Sequence, residues 1–174
     1  MVFLLLIFFI IIGLGLLLTL SIIDLKTYLL PNKYVFPFAI TGIFFHFFSE
    51  FELLSVQEVF MGGALGYGIL YLIRAAGNHY YGQDSLGLGD VKLLGAGGLW
   101  LGIEGVLMAM TLGAFLGLCH GAAVAVIKKM NSKEPFSFTK LKIPAGPGFA
   151  LGIALVFLWN NQNFIQRLFA ELSL

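Results

Sequence analysis

The sequence predicts an all-α protein, a polytopic membrane bundle of about six transmembrane helices that forms one integral-membrane domain over residues 1–174. Three observations carry that expectation. Of the 174 residues, 59% are hydrophobic and 11% charged, with a mean hydropathy of +0.96; a soluble domain carries about 25% charged residues. The apolar residues are gathered into runs close to the ~20 residues that cross a hydrocarbon core. The charges between those runs are sorted by sign, as membrane insertion demands.

The first run, 2–23, is uncharged and ends at Asp24. It has neither the basic n-region nor the small-x-small cleavage site of a signal peptide, so a retained first span is expected. Further runs fall at 34–49, 57–76, 87–103, 105–127 and 143–160. The fourth is short. From Leu93 to Ile103 a helix reaches only ~16 Å at 1.5 Å per residue, about half of a ~30 Å hydrocarbon core. Starting it near Gly87 lengthens it and draws Asp90 and Lys92 below the headgroups or into a thinned, wet pocket. Gly102 to Gly105, with Glu104 between them, reads as a turn into the fifth run.

Charge tests that arrangement independently. Six spans put the loops 24–33, 77–92 and 128–142 on one side. They hold Lys26, Lys33, Lys92, Lys128, Lys129, Lys133, Lys140 and Lys142, with Arg74 at the edge of the second, so nine of the ten basic residues share that side. Arg167 lies opposite, with Glu50, Glu52, Glu58, Glu104 and Glu171. The positive-inside rule then makes the basic loops cytoplasmic, leaves both termini outside, and puts Asp24 and Asp90 together at the cytoplasmic face of the cell membrane.

The remaining signals are architectural. Gly62/Gly66 and Gly113/Gly117/Gly121 recur at the four-residue spacing that lets membrane helices approach closely. Phe44, Phe45, Phe47 and Phe48 form a packing or lipid-facing surface, and Trp100 and Trp159 read as interfacial anchors. Cys119 is the only cysteine, which excludes an internal disulfide and a cysteine-based zinc site; it reads as a packed helix residue. His46, His79 and His120 fall on different levels, so no histidine metal cluster is implied and no metal or cofactor is expected. Ser85 lacks a G-x-S-x-G setting. No basic, aromatic-interleaved polar segment supports nucleic-acid binding.

The chemistry rests on two acids. A carboxylate at or within a bilayer is costly, and its default reading is functional. Two of them held close cannot both ionise easily and share a proton. Such a pair hydrolyses a peptide with water: one takes the water proton while the other polarises the scissile carbonyl. Glycines around Asp90 let an extended substrate backbone approach, once the substrate is unwound to free its carbonyls. Bland readings stand beside these. Asp24 ends a helix and Asp84 lies in a polar loop, where capping or solvation suffices; Asp90 has Lys92 as a loop partner. A bare G-x-G-D says little in a chain with 22 glycines.

Three motifs in order add weight. Asp24-Leu25-Lys26-Thr27-Tyr28-Leu29-Leu30-Pro31-Asn32 resembles the first aspartate motif of type IV prepilin peptidases. Gly87-Leu88-Gly89-Asp90-Val91-Lys92-Leu93-Leu94 resembles their G-x-G-D motif, and Ile143-Pro144-Ala145-Gly146-Pro147 is similar to the proline-glycine motif opening their last span. The resemblance runs from about Ile22 to Trp159. It implies an intramembrane aspartic endopeptidase that removes the basic leader of prepilin-like or preflagellin-like substrates on the cytoplasmic side. Asp24 and Asp90 would be the catalytic pair, and Gly87, Gly89, Lys92, Pro144 and Gly146 would stand near the substrate. Asp84 and Glu134 are the obvious further acids for a basic leader. The large cytoplasmic insert with paired cysteines of many methylating members has no counterpart here, so peptidase-only chemistry is expected, as in the similar preflagellin peptidases. The alternatives are a small proton-coupled carrier using the two aspartates as a relay, and a non-catalytic assembly scaffold.

Overall fold

A computed structural model describes residues 2–131 and 144–172, and every regular element among them is helical. Lys133, Glu134, Lys140, Lys142 and Ile143 lie outside the described residues, as do the side chains of Lys128 and Lys129. The chain forms α1 (Val2–Thr27), α2 (Asn32–Phe48), α3 (Val56–Tyr81), α4 (Leu88–Asn131), α5 (Gly146–Asn160) and α6 (Gln162–Leu172). Val2–Thr27, Val56–Tyr81 and Leu88–Ile127 are long and apolar enough to cross a membrane. Their outward faces carry Ile11, Leu18, Leu72, Phe115 and Leu118, each more than 60% exposed. In water such a surface would be an aggregation liability; in a bilayer it is solvated by lipid. The protein is a membrane helix bundle.

Local chemistry sets the helix ends. Tyr28 adopts φ 56° and donates its N–H to the Asp24 carbonyl at 2.8 Å, closing α1, and Pro31 then opens α2. Ser55 and Glu58 form a capping box at the start of α3, with the Ser55 N–H 2.8 Å from Glu58 Oε2. Gly82, at φ 64°, ends that helix in the left-handed conformation.

The expected turn after the fourth run is a single-residue reversal inside α4. Gly102 has φ 68° and ψ −169° and divides it into arms 88–101 and 103–131. Contacts on either side show the change of direction. Along the first arm, Gly97 lies against Ile153 of α5; along the second, Gly105 lies near Asn160 and Gly117 against Gly148. The second arm therefore runs back toward the end from which the first began. A Cβ at Gly62 would lie 2.5 Å from the Gly98 oxygen, and one at Gly148 2.6 Å from the Gly113 oxygen. Those expected glycines are thus places where helix backbones touch.

The reversal strands carbonyls that lose their helical donors. One is met by His46 of α2, whose Nε2 lies 3.1 Å from the Trp100 oxygen with the ring almost wholly buried. Trp100 itself departs from expectation. It is not an interfacial anchor but lies in the core, stacked on Phe38 and Phe45, with Nε1–H donated to the Phe38 carbonyl at 2.8 Å. The first arm is central, and Gly13 of α1 and Gly42 of α2 leave the slot that admits the indole. Replacing it by alanine empties that slot, so Trp100→Ala should lower stability by about 3–5 kcal/mol, read as earlier thermal unfolding in detergent.

Two further points differ from the sequence reading. Cys119 is exposed, not packed. The second arm meets α5 along the stripe of Ala109, Gly113 and Gly117, and residues 118 and 119 turn away from it. Helix α6 lies outside the expected spans, since 162–172 is too polar to cross a membrane. It buries Phe164 and Leu168 against the bundle, and Arg167 pairs with Glu52 at 3.0 Å. That bond joins the chain's end to the α2–α3 turn, at the end of the bundle away from Asp24.

Candidate active site

Asp24 lies in the last turn of α1 and Asp90 in the first turn of α4, and helix direction brings both to one end of the bundle. Both are buried, at 5% and 8% exposure, where an acid normally has a partner. Asp24 has one: its Oδ2 accepts the backbone N–H of Gly146 at 3.0 Å. Gly146 begins α5, so the carboxylate rests on a helix N-terminus, where free N–H groups and the helix dipole favour an anion. Glycine is required there for space, since a Cβ would lie 2.7 Å from Asp24 Oδ2 and 3.2 Å from Leu30 Cδ1.

Asp90 is held differently. Its Oδ1 is buried and has no hydrogen-bond partner, while Oδ2 lies 2.8 Å from where a Cβ on Gly87 would be. Gly89 permits another close approach, with a Cβ there meeting Leu30 Cβ at 2.7 Å. Leu30 thus packs under both glycine motifs and sets the α1–α2 connection against the start of α4. Asp24 and Asp90 share this corner of the bundle. Both face one cavity of about 820 Å³, walled by Tyr28, Arg74, Tyr81, residues 83–88, Pro144 and Ala145.

Other expected site residues are placed variously. Gly87 and Pro144 line the cavity; Gly89 and Gly146 support it from behind. Asp84 lines it too, but its Oδ1 is taken by Arg74 Nη2 at 2.6 Å and Asn78 Nδ2 at 2.9 Å. Lys92 points elsewhere. Its Nζ donates to Asn32 Oδ1 at 3.1 Å, and it lines a separate apolar groove of about 400 Å³ between α2, α3 and the first arm of α4. Among the described residues, no three His, Cys, Asp or Glu side chains gather as metal ligands. Sequence reasoning counted Arg74 only as a basic residue and passed over Asn78. The signal was available: Arg74, Asn78 and Tyr81 stand at i, i+4 and i+7, a polar stripe on one face of an apolar helix.

The family model for the type IV leader peptidase family matches residues 10–122. The chain belongs to that family. Both aspartates fall within the matched stretch. Among relatives, a prepilin leader peptidase/N-methyltransferase of Pectobacterium carotovorum subsp. carotovorum is 31% identical over 150 residues, covering 86% of this chain and 50% of the relative. Its namesake in Escherichia coli (strain K12) is 33% identical over 141 residues, covering 78% and 56%. That of Aeromonas hydrophila is 28% identical over 146 residues, covering 84% and 47%. This leader peptidase family member spans about half the length of those relatives. No solved structure matches it.

Proposed function

We propose that the protein is an aspartic endopeptidase of the cell membrane that removes the basic leader from prepilin-like or preflagellin-like proteins at the cytoplasmic face. The observation that carries this reading is the convergence of two buried carboxylates on one cavity at one end of an apolar bundle. Such groups are expensive in a membrane and tend to mark function. The sorting of basic residues supports the cytoplasmic assignment, and the relatives' names support the reaction.

Water is the nucleophile in this mechanism. Asp24, whose Oδ2 already rests on the Gly146 N–H, takes the proton as the water oxygen bonds to the scissile carbonyl carbon. Asp90 holds the shared proton, since an ionised carboxylate with a buried, unpartnered oxygen is costly. It donates a hydrogen bond to the carbonyl oxygen as that oxygen gains charge. Collapse of the tetrahedral intermediate breaks the C–N bond, and a proton passes to the leaving amine. The first arm of α4, 88–101, reaches only ~21 Å, so Asp90 sits recessed, where an apolar substrate segment emerges from lipid.

The test uses purified protein in liposomes, incubated with a prepilin carrying its leader. Release of the leader supports the peptidase reading, with a product mass that carries no added methyl group even when a sulfonium methyl donor is supplied. Aspartate-dependent proton or solute uptake without cleavage would replace it with the carrier reading, and neither activity would leave a scaffold.

A further inference from the structure

We propose that Arg74 and Asn78 are positioning residues for Asp90, acting through segment 84–87; the proposal rests on the peptidase reading above. Arg74, Gly77 and Asn78 share one face of the last turns of α3. Arg74 Nε donates to the Leu86 carbonyl at 2.9 Å, and its Nη2 pairs with Asp84 Oδ1 at 2.6 Å. Asn78 Nδ2 donates to the same Asp84 oxygen at 2.9 Å, while Asn78 Oδ1 accepts from the Ser85 N–H at 2.8 Å and the Ser85 hydroxyl at 3.0 Å. Gly77 has no room for a side chain, because a Cβ there would meet Ser85. Three successive residues, 84, 85 and 86, are each tied to α3.

The next residue is Gly87. Its carbonyl accepts the N–H of Asp90 at 3.1 Å and of Val91 at 3.4 Å, which begins α4. A Cβ on Gly87 would lie 2.8 Å from Asp90 Oδ2. Two hydrogen bonds, joined by the Leu86–Gly87 peptide link, therefore connect the guanidinium to the backbone of Asp90. The stretch 87–89 contains two glycines and would have wide conformational freedom if its entry were loose. Arginine suits the task because its planar fork reads a carbonyl and a carboxylate together, which a lysine point charge does not. An arginine on an apolar helix is costly without partners, and Arg74 finds its partners, the Leu86 carbonyl and the Asp84 carboxylate, on this segment.

Arg74 also lines the cavity, so the rival role is direct contact with substrate. Full-length protein in nanodiscs separates the two. In Arg74→Ala, kcat should fall ~100-fold, the effect of misplacing a reacting group by about 1 Å, with KM little changed. Arg74→Lys keeps the Asp84 pair but loses the Leu86 bond, and should fall about 10-fold. Added methylguanidinium should restore part of the Arg74→Ala rate. Asn78→Ala should lower kcat in the same direction. Hydrogen exchange across 82–91 should quicken in Arg74→Ala, while α1 and α5 keep wild-type protection. A raised KM at unchanged kcat would overturn the proposal in favour of substrate contact. Wild-type exchange across 82–91 would overturn it outright, as would an activity loss that the guanidinium leaves unrescued and that tracks general unfolding. Should the wild-type protein cleave no prepilin, the peptidase reading fails by itself, and exchange still decides whether Arg74 holds the segment.

Discussion

Asp24→Asn and Asp90→Asn should each lower prepilin cleavage by a factor on the order of 10⁴, with no comparable loss of fold. Asparagine matches aspartate in shape but neither takes the water proton nor holds one for the carbonyl. The two losses should not multiply in the double variant, because residues that act as a unit lose their function together. Stability should move little. In Asp90→Asn a neutral amide replaces a buried carboxyl that already holds the proton, and in Asp24→Asn the amide oxygen can still accept the Gly146 N–H. Thermal unfolding within ~1 kcal/mol of wild type, beside lost cleavage, assigns the defect to chemistry. A variant that cleaves at more than a few per cent of the wild-type rate removes that aspartate from the pair.

The second large effect is at Gly146. A methyl group there would stand 2.7 Å from Asp24 Oδ2 and 3.0 Å from its Cγ, too close for either atom to stay. The carboxylate must swing off the α5 N-terminus or α5 must retreat; either separates Asp24 from Asp90. Gly146→Ala should therefore cost ~100-fold in kcat through misplacement alone, and Gly146→Val more. Gly68→Ala is the control, because nothing lies within 4 Å of its added methyl. It should leave cleavage intact and stabilise α3 slightly, alanine being the better helix former. Equal activity in Gly146→Ala and wild type would show that Asp24 does not need its present support.

How far the sequence foretold this depended on whether a residue's cost was local. An acid beside membrane-grade sequence is conspicuous anywhere, so Asp24 and Asp90 stand out, and charge sorting alone puts them at one end. The Gly102 reversal was legible because Glu104 and two glycines interrupt an apolar run. Residues whose meaning lies in a partner far along the chain were not. Trp100 reads as an anchor in sequence, and only the room made by the distant Gly13 and Gly42 takes it into the core. Cys119 reads as packed in sequence, but the second arm packs on its Gly113/Gly117 face and leaves the thiol exposed. The support from Gly146 spans 122 residues and appears in the sequence only as a glycine in a proline-rich motif. Helix α6 escaped because its two core residues, Phe164 and Leu168, sit among polar ones.

The same distinction explains which expected site residues gather. Gly87 and Pro144 join the aspartates because they adjoin them or open α5. Lys92 is only two residues from Asp90, but two residues on a helix is a rotation of about 200°. It faces Asn32 and the neighbouring groove instead. Asp84, read as a free acid for a basic leader, has Oδ1 committed to Arg74 and Asn78.

The central claim is that Asp24 and Asp90 together hold an attacking water against a peptide carbonyl. The most direct measurement is the affinity of a prepilin peptide whose scissile amide is replaced by a hydroxyethylene group. Its hydroxyl takes the place of that water between the carboxylates. The account predicts binding at least ~100-fold tighter than that of the matching uncleavable amide, with the gain abolished in both Asp24→Asn and Asp90→Asn. Equal affinity for the two peptides, or a gain that survives either substitution, would contradict it.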